Sequence, residues 1–501
     1  MLVVGQLFAR GFEVHWHKAL GGRVSVPLPS YVFDRQSIAG PAVDSIVPGV
    51  NCHPLLGEAH DGAMAAASAN VPNRAMAAVF QLPVSPATHR WLWDHKLVQW
   101  GAVMPGAGFA EMCFAAAGRV AQCSACPTRA GVAATSAALP TTSPAFHCLE
   151  MRIRKLTLKS VFRLGFSSTF LRTYVWRVGC TAPGVRETLH VRIVSVLCDG
   201  STRTHGVGVV EVLDQQVIAP PPSLSDSNRP TEVISPITSN GDHTDTTTTT
   251  LAHVLDSVPA VDVARVVSTV PAPVAQWLQA DGSQRLWDIP IASYFAVLRA
   301  VGFQYGPCFR TTKQVLLMQS GTCVARIPSY VDIHAHCTPS SLNAMRVFGA
   351  TATATDMWMS PSVIDAVLQS GLLPVSAAWA KMSAASTGQP WYKISPTGSS
   401  ATAPQALPFC IRDMAMHTPL SLLSGRELWV LARSTSSDPS DWLAPILFEC
   451  VDEFGTPVFE MELELRVVDG SVQQGEDEAD DHDDVVMMQI PAELAAAERS
   501  S

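Results

Sequence analysis

Charge is scarce in this chain. Asp, Glu, Lys and Arg make up only 15% of its 501 residues, while apolar residues make up 47%. What charge there is leans negative, at −9 net, which excludes the basic surface that holds nucleic acid. Much of that excess sits in one run, GEDEADDHDD (Gly475–Asp484), read as part of a solvated acidic tail over residues 471–501. No uninterrupted apolar run approaches about 18 residues, so no membrane span is expected. The opening MLVVGQLFARGF has neither a charged start nor a cleavage-type site, so no signal peptide is read. The 12 cysteines are too sparse for a disulfide scaffold and fit a reducing cytoplasm. No GxSxG turn occurs, against a serine hydrolase, and no GxGxxG follows a strand, against an NAD-binding domain.

One cysteine cluster is dense enough to weigh. Cys123 and Cys126 form a CxxC, and His147 and Cys148 follow. Zinc accepts such donors. Adjacent His-Cys is poor ligand spacing, however, and the intervening PTRAGVAATSAALPTTSPA (Pro127–Ala145) has the composition of a loop. The cysteines are read as free thiols in an insertion over 121–148, with no metal site.

The rest of the chain divides by composition. Residues 1–50 read as a short helix and a proline-punctuated connector, RVSVPLPSYVFDRQSI (Arg23–Ile38), too rich in proline for a central strand. Residues 51–215 alternate strand-like runs with one helix, from about Pro105 to Val120. Its Phe109, Met112, Cys113, Ala116 and Ala117 fall at helical spacing as a core-facing stripe. MRIRKLTL (Met151–Leu158) and LHVRIVSVL (Leu189–Leu197) alternate with period two, as half-buried antiparallel strands do. Residues 216–286 are read as a linker, because Ala219–Thr250 is rich in Pro, Ser, Thr and Asp. From 287 to 470 the first pattern returns: strands, a helix after SPSVIDAVLQSGLL (Ser360–Leu373), then strands ending in PVFEMELELRVV (Pro457–Val468). The expected class is α+β, two units of one helix and an antiparallel sheet each.

Three polar residues stand in apolar surroundings. His95 lies in WLWDHKLVQWGAVMPGAGFAEM (Trp91–Met112), just ahead of the helix start at Pro105. Asp365 lies near the second turn of the later helix, with Ser360 as N-cap, Pro361 at the first helical position and Gln369 one turn on. An acid near a helix start is ordinarily a charged group favoured by the helix dipole, worth about 0.3–1 kcal/mol. As a general acid it must instead keep its proton near neutrality, which burial among apolar side chains favours. Tyr305-Gly306-Pro307 follows an apolar stretch, either as a turn with a core tyrosine or as the lining of a substrate channel.

Together these segments resemble the dehydratase domain of modular polyketide synthases and animal-type fatty acid synthases. The family's HxxxGxxxxP motif is met by His95, Gly101 and Pro105, its YGPxF by Tyr305, Gly306, Pro307 and Phe309, and its DxxxQ by Asp365 and Gln369. CHPLLG (Cys52–Gly57), LPFCIRDM (Leu407–Met414) and DEFGTPVFEMELELRVV (Asp452–Val468) look like its opening and closing segments, and residues 10–38 are similar to a linker that follows an acyltransferase domain. The first motif departs in spacing: Gly101 is six positions after His95 where the family has four, and Pro105 is one late. Two outcomes are open for this spacing: a one-residue bulge ahead of the helix that absorbs it, or a displaced His95. The resemblance implies a double hot dog with a site at the junction of its halves. It implies a 3-hydroxyacyl thioester on the phosphopantetheine of an acyl carrier protein as substrate, no cofactor of the domain's own, and loss of water to a 2-enoyl thioester. His95 would be the base, Asp365 the acid and Gln369 its orienting partner. Tyr305 would bind substrate, and Gly106 or Ala107 N–H would face the thioester oxygen. Partners implied are the carrier protein, neighbouring acyltransferase, ketoreductase and ketosynthase domains, and a second copy in a homodimer. A non-catalytic scaffold and a product-template cyclisation domain are the alternative readings.

Overall fold

A computed structural model describes residues 53, 55–59, 76–84, 89–124, 150–164, 169–178, 184–196, 201–213, 251–329, 357–385, 405–418 and, with short breaks, 420–467. The connector over 1–50, most of the 121–148 insertion, the Pro/Ser/Thr-rich 219–250 and the acidic tail lie outside the described residues.

Two long helices organise the fold: α1 (Gly106–Ser124) and, by its place in the chain, α6 (Pro361–Ala385). The strands around α1 are β1 (Glu58–Ala59), β2 (Met76–Val84), β5 (Met151–Leu158), β6 (Thr169–Arg177), β7 (Val185–Val196) and β8 (Thr202–Leu213). The second half carries α2 (Leu251–Ser257), β9 (Ala260–Val261), α3 (Val263–Val267), α4 (Ala272–Ala280), β10 (Leu286–Asp288) and α5 (Ile291–Ala300) before its main strands. Those are β12 (Gln314–Met318), β13 (Cys323–Pro328), β14 (Ala406–Met416), β15 (Glu427–Ser434), β16 (Ile446–Asp452) and β17 (Pro457–Val467).

All these strands join one 14-stranded antiparallel sheet, in the order β1-β2-β6-β7-β8-β5-β14-β17-β16-β15-β13-β12-β10-β9. β2, β5, β6, β7 and β8 pack on α1; β13, β15 and β16 pack on α6, and the two helices touch. This is the double hot dog, α+β in class. Its seam is the β5–β14 ladder, with Leu156 opposite Ile411 and Ile153 opposite Met414. One apolar cluster runs through both halves, from Phe114 on α1 to Val367 on α6 and Phe448 on β16.

Three expectations need correction. The linker does not reach residue 286: α2, β9, α3 and α4 occupy 251–280, and Val274 and Leu278 of α4 close a second apolar cluster with Leu286, Leu316 and Trp429. The α1 stripe is also too narrow a description. Residues 107–118 are buried on every side, because the sheet curls round one face and α6 lies on another. The insertion begins later than 121, since α1 continues to Ser124. The stretch Pro361–Lys381 is long and apolar enough to cross a membrane, but 83% of it is buried inside this molecule, and the core accounts for its composition.

Candidate active site

A small second sheet builds the site. Its strands are β11 (Phe303–Tyr305), β3 (His95–Leu97) and β4 (Gly101–Ala102), in that order. β11 comes from the second half of the chain and β3 from the first, so backbone hydrogen bonds sew the halves together here. Tyr305 stands opposite His95, and Phe303 opposite Leu97. Side chains alternate across a strand, so His95 and Leu97 point inward while Lys96 points out; Phe303 and Tyr305 do the same around Gln304.

The imidazole is held by its own chain. His95 Nδ1 lies 3.1 Å from the Val103 carbonyl oxygen. A carbonyl can only accept, so Nδ1 carries the hydrogen, and in the neutral ring the lone pair is on Nε2. Nε2 lies 3.5 Å from Asp365 Oδ1. Both side chains are buried, at 6% and 4% exposure. The Tyr305 and Phe309 rings meet the imidazole edge-on at 5.4 and 5.3 Å, and Trp91 stacks behind Phe309.

Asp365 lies in the second turn of α6, which starts at Pro361 with the Ser360 carbonyl taking the first helical hydrogen bonds, as the sequence predicts. Gln369 Nε2 donates to Asp365 Oδ2 at 2.8 Å and to the Phe309 carbonyl at 3.0 Å. The Phe309 contact fixes which end of the amide is nitrogen. With Oδ2 engaged, Oδ1 is the oxygen that faces His95. Burial, and less strongly the neighbouring Asp365 and Tyr294, push the Tyr305 phenol well above its ordinary range, so it is a standing donor.

The remaining motif residues shape the backbone around this pair. Gly306 is required for clearance: a Cβ there would sit 2.4 Å from the Asp94 carboxyl group. Its N–H donates to the Asp94 carbonyl at 2.6 Å, and Asp94 Oδ2 accepts from Cys308 N–H at 3.0 Å. Pro307 opens a short 3-10 turn, Pro307–Phe309. Gly101 has φ +73°, the left-handed conformation that ends the turn through Val98, Gln99 and Trp100. That turn lies inside the lengthened stretch between His95 and Pro105, and His95 faces Asp365 across the site. Pro105 is buried and caps α1 through its carbonyl, bonded by Gly108 N–H. Gly106 opens α1 beside Leu158 and Pro408, so the helix start with its unpaired N–H groups lies against the seam.

Three contributors escaped the sequence reading. Asp94 ties the histidine strand to the YGPxF turn. Val103 acts through its backbone and leaves no side-chain signature. Glu111 is the sole charged residue in the otherwise apolar Gly106–Gly118, the signal that drew attention to Asp365. Of the cysteine cluster only Cys123 falls in a described element, the last turn of α1, and no group of three or more metal-ligating side chains occurs among the described residues.

Fold and site together define a double hot dog with a buried histidine–aspartate pair at its junction. Residues 53–158 match the family model of the polyketide synthase dehydratase domain. The Mycoketide-CoA synthase of Mycobacterium tuberculosis (strain ATCC 25618 / H37Rv) is 32% identical over 126 residues, covering 24% of this chain and 3% of that protein. Among solved structures, the dehydratase domain from the CurF module of curacin polyketide synthase aligns over 83% of this chain and 100% of its own, at 15% identity and TM-score 0.46. The dehydratase domain of PpsC from Mycobacterium tuberculosis aligns over 83% and 99%, at 15% identity and TM-score 0.43. The resemblance drawn from the motifs thus has a match of its own over residues 53–158, the interval that holds His95 and α1.

Proposed function

We propose that this chain removes water from a 3-hydroxyacyl thioester carried by an acyl carrier protein, giving the 2-enoyl thioester. The reading rests on one observation: His95 Nε2 and Asp365 Oδ1, 270 positions apart in sequence, face each other at 3.5 Å in a buried apolar setting. Neutral His95 takes a proton from C2 of the acyl chain. The C3–O bond breaks, the C2=C3 bond forms, and Asp365 Oδ1 gives its proton to the departing hydroxyl, which leaves as water. The step ends with imidazolium beside carboxylate, and transfer of the Nε2 proton to Oδ1 restores the starting pair. Gln369 keeps Oδ2 occupied, so the acid works through Oδ1. The first N–H groups of α1, at Gly106 and Ala107, face the growing negative charge on the thioester oxygen. The Tyr305 phenol donates a hydrogen bond to the acyl chain's oxygen. Dehydration in such a synthase follows reduction of a 3-ketoacyl group, so a ketoreductase and a carrier protein are the partners this chemistry requires.

His95→Ala and Asp365→Asn each lower kcat by roughly 10²–10⁴-fold, the usual share of a general acid or base. The assay follows enoyl absorbance from 3-hydroxyacyl N-acetylcysteamine thioesters, with circular dichroism as the fold control. Parent-like turnover in either variant refutes the assignment, and product formation in the parent separates an enzyme from a scaffold.

A further inference from the structure

A second buried acid lies outside the chemistry just described. Glu111, in the second turn of α1, has no exposed surface. Its Oε1 accepts from His53 Nε2 and from Trp358 N–H, each at 2.8 Å, and its Oε2 accepts from Met359 N–H at 2.7 Å. His53 is fixed in one tautomer. Its Nδ1 accepts from the N–H groups of Leu55 and Leu56 at 3.2 and 3.1 Å, so Nε2 must be the protonated nitrogen. Trp358 and Met359 immediately precede Ser360 and Pro361, where α6 begins. Burial raises the Glu111 pKa against the pull of its four hydrogen-bond and charge contacts to His53, Met359 and Trp358.

We infer that Glu111, oriented by His53, is a positioning residue that docks the start of α6 onto α1 and thereby sets Asp365 against His95. His95 opens β3 in the first half, whereas Asp365 sits one turn into a helix of the second. The distance between them therefore depends on the docking of that helix start, along with the Gln369 bond to the Phe309 carbonyl. Glu111 grips the two backbone amides just ahead of it. A misplacement of about 1 Å at reacting groups costs on the order of 10²-fold in rate. The inference rests on the proposed dehydration for its kinetic readout, but its structural readout does not.

The test is Glu111→Gln in the full chain. The amide keeps one oxygen for His53 and Trp358 and turns an NH₂ toward Met359 N–H, a donor against a donor. Expected are a 10–100-fold lower kcat with KM changed less than about threefold, and amide hydrogen exchange at least tenfold faster in the peptide spanning 357–364 with the other strands unchanged. Unaltered exchange in 357–364 overturns the docking. Faster exchange with parent-like kcat overturns its link to the chemistry. A parent chain inactive on every 3-hydroxyacyl thioester defeats the proposed function, and the exchange result then judges the docking alone. Should Glu111→Gln fail to fold, His53→Gln, which keeps the carboxylate and a donor facing it, is read by the same two measurements, with a smaller loss expected.

Discussion

A handful of atoms decides whether His95 can act. The Val103 carbonyl selects the tautomer, Asp365 Oδ1 faces the free nitrogen, and Gly306 gives Asp94 the room to brace the turn below. This last contact can be measured. A methyl group at 306 meets the Asp94 carboxyl at 2.4 Å, so Gly306→Ala costs about 1–3 kcal/mol and lowers kcat through Tyr305 and Phe309. Asp94→Ala removes the obstacle along with its bond to Cys308. In a double-mutant cycle by urea unfolding, the two changes together should cost less than their sum by at least about 0.5 kcal/mol; simple additivity refutes the clash. His95, Asp365 and Tyr305 were visible in the sequence because a polar group in an apolar run is itself a signal. Asp94 was not, because an aspartate ahead of a turn has many ordinary reasons to be there, and a backbone carbonyl such as that of Val103 has no letter of its own.

Helices and strands were legible in proportion to their length. α1, β5, β7 and β17 lie close to where the patterning places them, since many residues vote on each. α2, α3 and α4 were lost to the linker because they run only 7, 5 and 9 residues, and α3 buries none of its side chains. One contact between elements has a pH signature. His205 of β8 stacks on Phe109 of α1 at 6.2 Å and meets Phe162 edge-on, with Ser160 and Ser195 hydroxyls at its two nitrogens, each 2.9 Å away. Burial, the largest influence, pulls its pKa down from 6.5 to about 4. Between those values the unfolded chain binds the extra proton and the folded one does not, so stability falls as pH falls from about 6.5 toward 4. At about 1.4 kcal/mol per pH unit the loss is on the order of 3 kcal/mol. Urea midpoints taken through that window should drop in the parent and drop less in His205→Gln, whose amide does not titrate. Parallel curves would show that His205 is not the sensor.

At the scale of the whole molecule, the two halves share one sheet, one main core and one site. The β5–β14 seam buries Ile153 and Ile411 almost wholly, and Arg152 pairs with Asp413 across it. Such halves should not melt apart. In calorimetry of the full chain the two halves should give one shared transition, and Ile153→Ala should move it as a unit, at a cost of about 2–5 kcal/mol. Two resolved transitions in that variant would mean that the seam is a contact between independent domains.

The pairing of His95 with Tyr305 carries one more consequence. Strand register changes in whole steps, never by fractions. Were β11 to slide along β3 by a single position, Gln304 would face the imidazole and the phenol would swing to the opposite side. Amino-acid replacements elsewhere can weaken this arrangement but cannot retune it by degrees. A slip in this register therefore parts base and phenol at one stroke.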